Sequence, residues 1–159
     1  MSIIFLGTST CDICDGVLTE ERDIYGFPPF VINLNDPIRK FSDNAYHREC
    51  LMKTEYGEIA VKYAELYTEK CAPSNRYCIV NGNHINKQEH HICILYLTSD
   101  TDDYLHDFNF THIDKNNLLY WDKRVKVVEK LKELRRSGRW LEGAEKWYLD
   151  RLITQLEAV

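Results

Sequence analysis

At 159 residues and 18.8 kDa, the chain is long enough for one domain with a real core and too short for two comfortable ones. Its 44% hydrophobic content is too high for a disordered chain, and seven glycines with four prolines exclude collagen-like or linker-dominated architectures. A formal net charge of −5 means that the chain as a whole repels polyanions.

Residues 1–43 read as short extended pieces: Ser2–Leu6, turns at Gly7 and Gly16, then Pro28-Pro29 and Phe30–Leu34. The apolar start Ile3-Ile4-Phe5-Leu6 lacks a basic n-region and is too short for a secretory signal, and no apolar run approaches the roughly 20 residues of a membrane span. A cytoplasmic protein is expected. Asn33, Asn35, Asp36 and Pro37 mark a loop before a short stretch ending in Phe41. Residues 44–71 read as helix, with Ser42, Asp43 or Asn44 as cap and a break at Gly57. Beyond the break, Ile59, Tyr63, Leu66 and Tyr67 mark a buried face. Residues 76–113 read as β: Tyr77–Val80 into an Asn81-Gly82 turn, Ile92–Leu97, and Phe108–His112 after the acidic loop Asp100–Asp103. The tail returns to helix. Val125, Val128, Leu131 and Leu134 run to a stop at Ser137-Gly138, and Leu149, Leu152, Ile153 and Leu156 stripe a last helix. The class is α+β in one compact unit over 1–159.

Six cysteines are unusual in a reducing compartment, which does not favour a disulfide framework. Cys11-x-x-Cys14 is a pair whose tight turn lets two thiolates converge on one ion, and His47-x-x-Cys50 offers two more donors at i and i+3. Zinc accepts S and N ligands tetrahedrally. Either pair alone would suit packing cysteines and a surface histidine. Two half-sites together point to a Zn2+ site. Three thiolates leave it at net −1, and Arg39, Lys40 and Arg48 lie close enough in sequence to offset that. With every position filled by protein, the zinc is structural, and residues 1–56 form the zinc-binding subregion ahead of an α+β remainder at 57–159.

Cys11-x-x-Cys14, a hairpin, and His47-x-x-Cys50 on a helix resemble the treble-clef arrangement of LIM- and RING-type modules. The stretch Phe41–Leu51 (FSDNAYHRECL) resembles small bacterial proteins with an N-terminal zinc knuckle. The resemblance covers about the first third of the chain and specifies ligands rather than activity; ubiquitin-ligase function does not carry over. It implies an N-terminal treble-clef-like module, a central short antiparallel sheet and C-terminal helices.

Catalytic patterns are poor. The deaminase order, H-x-E before P-C-x-x-C, is reversed here and lacks the proline. Asn83-His84 and His90-His91 are fragments without the frame of an HNH nuclease, and no phosphate-binding glycine loop is present. Cys71, Cys78 and Cys93 are expected to be packing thiols, with His84, His90, His91, His106 and His112 solvated. No pair among them shows close metal spacing.

Residues 122–139 hold eight basic against three acidic side chains, a net of +5 that leaves −10 on the rest. Such a helix suits nucleic-acid phosphates or an ordinary solvated face. Asp100, Asp102, Asp103 and Asp107 beside Tyr104, Phe108 and Phe110 suit either a solvated loop or a basic protein partner. The expected function is non-enzymatic protein binding stabilised by zinc, with the bacterial resemblance and the acidity indicating a toxin-immunity or antitoxin role. The alternatives are a nucleic-acid-binding regulator using 122–139 and a zinc-dependent hydrolase.

Overall fold

The computed structural model describes residues 3–143 and 147–158; Ser2, at the head of the predicted extended start, lies outside them. Two small antiparallel sheets and four helices make a mixed α+β architecture. β1 (Ile24–Gly26) pairs with β2 (Ala45–His47), which runs directly into α1 (Arg48–Met52). α2 (Gly57–Lys70) follows, then β3 (His91–Ile94) paired with β4 (Thr111–Asp114), and finally α3 (Arg124–Arg136) and α4 (Tyr148–Glu157).

The predicted helix over 44–71 is therefore three elements. Residues 45–47 are strand because β1, three residues set between acidic turns and Pro28-Pro29, offers a partner that local periodicity does not reveal. None of the expected caps serves a helix: the Ser42 hydroxyl accepts from the Val31 N–H, Asp43 has a left-handed φ of 63°, and Asn44 donates to the Lys40 carbonyl. The break at Gly57 does occur. A Cβ there would lie 2.0 Å from the Leu51 carbonyl oxygen, so only glycine lets α2 start this close to α1. The buried face of α2 is Gly57, Ala60, Tyr63 and Ala64, whereas Ile59 is exposed. Small alanines let this face approach the aromatic core, and of the expected stripe Tyr63 is buried while Leu66 and Tyr67 pack partly buried against the cluster.

In the β region, Tyr77–Val80 forms only isolated bridges, Tyr77 to His84 and Cys78 to His112. Phe108 belongs to a 3-10 turn (Tyr104–Phe108), and the third strand begins only at Thr111. The register sets Ile92 opposite Ile113 and Cys93 opposite His112. Strand side chains alternate faces. Ile92, Ile94 and Ile113 thus enter one core, while His91, Cys93 and His112 share the other face.

Two apolar clusters result. The C-terminal one joins β3 and β4 to Val127, Val128, Leu131 and Leu134 of α3 and to Leu149, Leu152, Ile153 and Leu156 of α4. Val125, expected in the stripe, is exposed. Burying each such side chain contributes roughly 1.5–3 kcal/mol before conformational entropy is set against it. The N-terminal cluster is aromatic: Phe27, Phe30, Phe41 and Tyr46 pack against Leu51, Ala60, Tyr63 and Tyr96. Buried Asn33 links the two halves of the chain, its carbonyl accepting from Leu141 N–H and its amide donating to the Arg139 carbonyl. No helix among the described residues is long and apolar enough to cross a membrane.

Candidate metal centre

The N-terminal site begins with a knuckle. Cys11 N–H donates to the Gly16 carbonyl, Asp15 N–H donates to the Cys11 carbonyl, and Thr10 bridges Val17 across the turn. This brings the Cys11 and Cys14 thiols to one side. β2 delivers His47 as the residue just before α1, and the first turn of α1 delivers Cys50. The four donor atoms of Cys11, Cys14, His47 and Cys50 lie within 4.8 Å of one another. The donors come from the turn at residues 11–16 and from the junction of β2 with α1. His47 precedes the helix rather than riding on it, and convergence comes from the β2–α1 corner.

The surroundings suit metal ligation. His47 Nδ1 lies 3.4 Å from Cys14 Sγ, while Nε2 lies 3.3 Å from the Val17 carbonyl. The carbonyl accepts a hydrogen bond from Nε2–H, which leaves the Nδ1 lone pair directed at the thiols. Gly16 sits behind them: a Cβ would lie 3.2 Å from Cys14 Sγ and 3.3 Å from His47 Cε1. Cys11 is fully buried, Cys50 partly so, and Cys14 exposed. Burial opposes ionisation of Cys11, yet backbone N–H groups of Ile13, His47 and Cys14 outweigh it and bring the thiol down to about 7. Cys50 is pushed up to about 11, first by its hydrogen bond with Cys14, then by burial and the neighbouring thiolates. The first thiolate forms easily and the next resists it, which a divalent cation relieves. Arg39, Lys40 and Arg48 are engaged elsewhere: Arg39 donates to the Ser42 carbonyl, Lys40 lies over Phe41, and Arg48 stacks on Tyr25 and donates to the Arg22 carbonyl.

The structure corrects the reading of the remaining cysteines and histidines. His91, Cys93 and His112 form a second group whose donor atoms lie within 4.8 Å of one another. Neither ring is a solvated surface histidine. His91 is half-buried and held near 4 by burial, then by His112 and Arg76; His112 is buried and lowered by burial. Cys93 stands with them, its sulfur within 4.8 Å of both donor nitrogens. The pattern was hidden because its donors are spaced for strands: His91 and Cys93 at i and i+2, His112 across the ladder. An H-x-C in a predicted strand facing a second strand histidine is the signal that could have found it. Cys78 matches the expected packing role, its sulfur accepting from Asp114 N–H and Asn117. Of the other histidines, His106 bonds Tyr63, His84 bonds Asn86 and the Pro73 carbonyl, and His90 bonds Asn116.

The acidic loop divides. Asp103 accepts from Leu105 N–H and pairs with Arg139 at 3.2 Å, and Tyr104 lies under Lys126 against Phe108. Asp100, Asp102 and Asp107 stay exposed. Asp100 and Asp103 border a cavity of about 440 Å³ whose wall also includes Asp36, Tyr56 and Ile59. The basic stretch, in contrast, is occupied internally. Lys130 pairs with Glu133, Lys132 with Glu157, and Arg135 with Asp150. Arg124 donates to the Leu156 carbonyl, and Lys123 and Lys126 lie over Phe108 and Tyr104.

No protein-family model matches the chain, and comparisons with curated proteins and with solved structures likewise find no match.

Proposed function

We propose that this chain is a zinc-stabilised protein that works by binding a basic protein partner, with Cys11, Cys14, His47 and Cys50 holding a structural Zn2+. The closed donor set carries the zinc part: four protein ligands leave no position for an activated water, which a zinc hydrolase needs. The apparent binding energy of such sites, about 10–16 kcal/mol in small modules, becomes folding energy for the segment they close. Here that segment is a knuckle whose own buried apolar residues are few, chiefly Cys11 and Leu18.

The partner reading rests on the cavity beside the acidic loop. Asp36 and Asp100 with Tyr56 and Ile59 give carboxylates over an apolar wall, a combination that suits a lysine or arginine side chain presented by a protein. The chain outside residues 122–139 carries the acidity that would steer such a partner. Three basic side chains of that stretch are already paired, Lys130 with Glu133, Lys132 with Glu157 and Arg135 with Asp150, which makes the regulator reading the weaker one. A toxin-neutralising role is the form of this function that an acidic binder of basic proteins suggests.

Co-expression with a toxin encoded beside the gene tests it. The wild-type chain should rescue growth, and Asp100→Lys with Ile59→Ala should lose rescue while staying folded and zinc-loaded. Absence of rescue, together with recovery of nucleic acid on the purified chain, would overturn the reading.

A further inference from the structure

Beyond the N-terminal centre, the face of the β3–β4 ladder turned away from the C-terminal core collects three donors, with a cysteine at the end of α2 beside them. His91 and Cys93 stand two apart on β3, His112 lies directly opposite Cys93 on β4, and Cys71 ends α2 beside them. His91 Nε2 is 2.8 Å from His112 Nδ1, with ring centroids 4.9 Å apart. His112 is buried and His91 half-buried, so both rings face the site out of bulk water, and the neutral imidazole is the form that ligates. His112 Nε2–H donates to the Lys70 carbonyl at 2.8 Å, which leaves the Nδ1 lone pair on the side of His91. A second ring nitrogen held by a backbone carbonyl is the usual support of a metal-bound histidine.

The residue after that carbonyl is Cys71. Cys71 lies outside the group whose donor atoms are all within 4.8 Å of one another, and shares with His91, Cys93 and His112 the lining of one cavity. Arg76 borders the same cavity of about 430 Å³ and favours negative sulfur.

We infer that Cys71, His91, Cys93 and His112 form a second zinc site, a Cys2His2 clamp fastening the C-terminal end of α2 to the β3–β4 ladder. Two thiolates, two neutral imidazoles and a divalent ion sum to zero charge, which a half-buried site accommodates better than the −1 of the N-terminal set. Its position gives it a role. α2 packs into the N-terminal aromatic cluster while β3 and β4 build the C-terminal one, so the clamp ties the two cores together. The donor set is soft, with spacing and support that suit zinc rather than calcium or magnesium.

Metal content of the full chain, purified under reducing conditions without added chelator, is the test. The wild type should carry two zinc ions per chain. His91→Gln, and Cys71→Ala at the edge of the N-terminal cluster, should each carry one and keep the wild-type far-ultraviolet spectrum. Cys50→Ala should also fall to one, so loss of either site is separable from loss of the other. A single zinc in the wild type, or two tightly held zinc ions in His91→Gln or Cys71→Ala, overturns the proposal. So does a Cys71–Cys93 disulfide in place of the second ion.

Discussion

Gly16 gives the sharpest handle on the N-terminal centre, because it touches two ligands without being one. Its backbone is outside the left-handed region, so Gly16→Ala carries no conformational penalty of that kind. The added methyl would sit 3.2 Å from Cys14 Sγ and 3.3 Å from His47 Cε1. Comfortable carbon contacts begin at about 3.5–4.0 Å, so the sulfur and the ring must give way by a few tenths of an ångström. Metal–ligand distances tolerate about 0.2 Å, and the displacement falls on two of four ligands at once. Disturbing the support of a ligand typically lowers metal affinity by about 10–100-fold, equivalent to about 1.4–2.8 kcal/mol. Competition of the protein against a chromophoric chelator, in the His91→Gln background so that one site is measured, should show a loss in that range. Gly82→Ala is the control. Its φ of +72° strains the turn and lowers stability, yet its Cβ would touch nothing within 4 Å, and zinc affinity should not change. Equal affinity for Gly16→Ala and wild type would refute the placement of Cys14 and His47 as joint ligands.

Other expectations follow from single contacts. Cys11→Ser should abolish zinc at the N-terminal site and remove hydrogen-exchange protection across residues 9–18, while Phe27–Phe41, packed on α2, stays protected. Tyr148→Phe deprives the Leu95 N–H of the phenolic oxygen that accepts its hydrogen bond at 2.6 Å and should cost about 1–3 kcal/mol in urea unfolding. Asp36 is raised above its ordinary range, first by burial, against hydrogen bonds from Ile38 N–H and the Tyr96 hydroxyl. The folded state therefore binds its proton more tightly than the unfolded chain does, and the ionised carboxylate weighs against folding at neutral pH. Asp36→Asn should be at least as stable as wild type at pH 7, with the difference closing as pH falls into the carboxylate range. A loss at pH 7 that persists at acid pH would contradict this.

What could be read from the sequence was local, and what could not was relational. Cys11-x-x-Cys14 and His47-x-x-Cys50 declare themselves because each pair is set by one tight turn or one helix start. α3 and α4 are legible for the same reason, since three or four turns of helix carry their own stripe. Residues 45–47 were misread because their strand state depends on a partner twenty residues upstream, Ile24–Gly26, too short to announce itself. On α2 the expected Tyr63, Leu66 and Tyr67 do meet the core, and only Ile59 is exposed; Ala60 and Ala64 are missed because a large Ile59 outweighs them on any hydrophobicity scale, although the core needs their smallness. The His91–Cys93–His112 group depends on register between two strands, with α2 brought over them, and no run of consecutive residues records that. Likewise the pairing of Lys132 with Glu157 and of Arg135 with Asp150 joins α3 to α4, which no local pattern in the basic stretch records.

The most direct test of a structural zinc at Cys11, Cys14, His47 and Cys50 is hydrogen exchange of the His91→Gln chain, metal-free and then with one equivalent of Zn2+. Protection should rise across residues 9–18 and 45–50 and saturate at that single equivalent. An exchange pattern that zinc leaves unchanged in those two segments would contradict it.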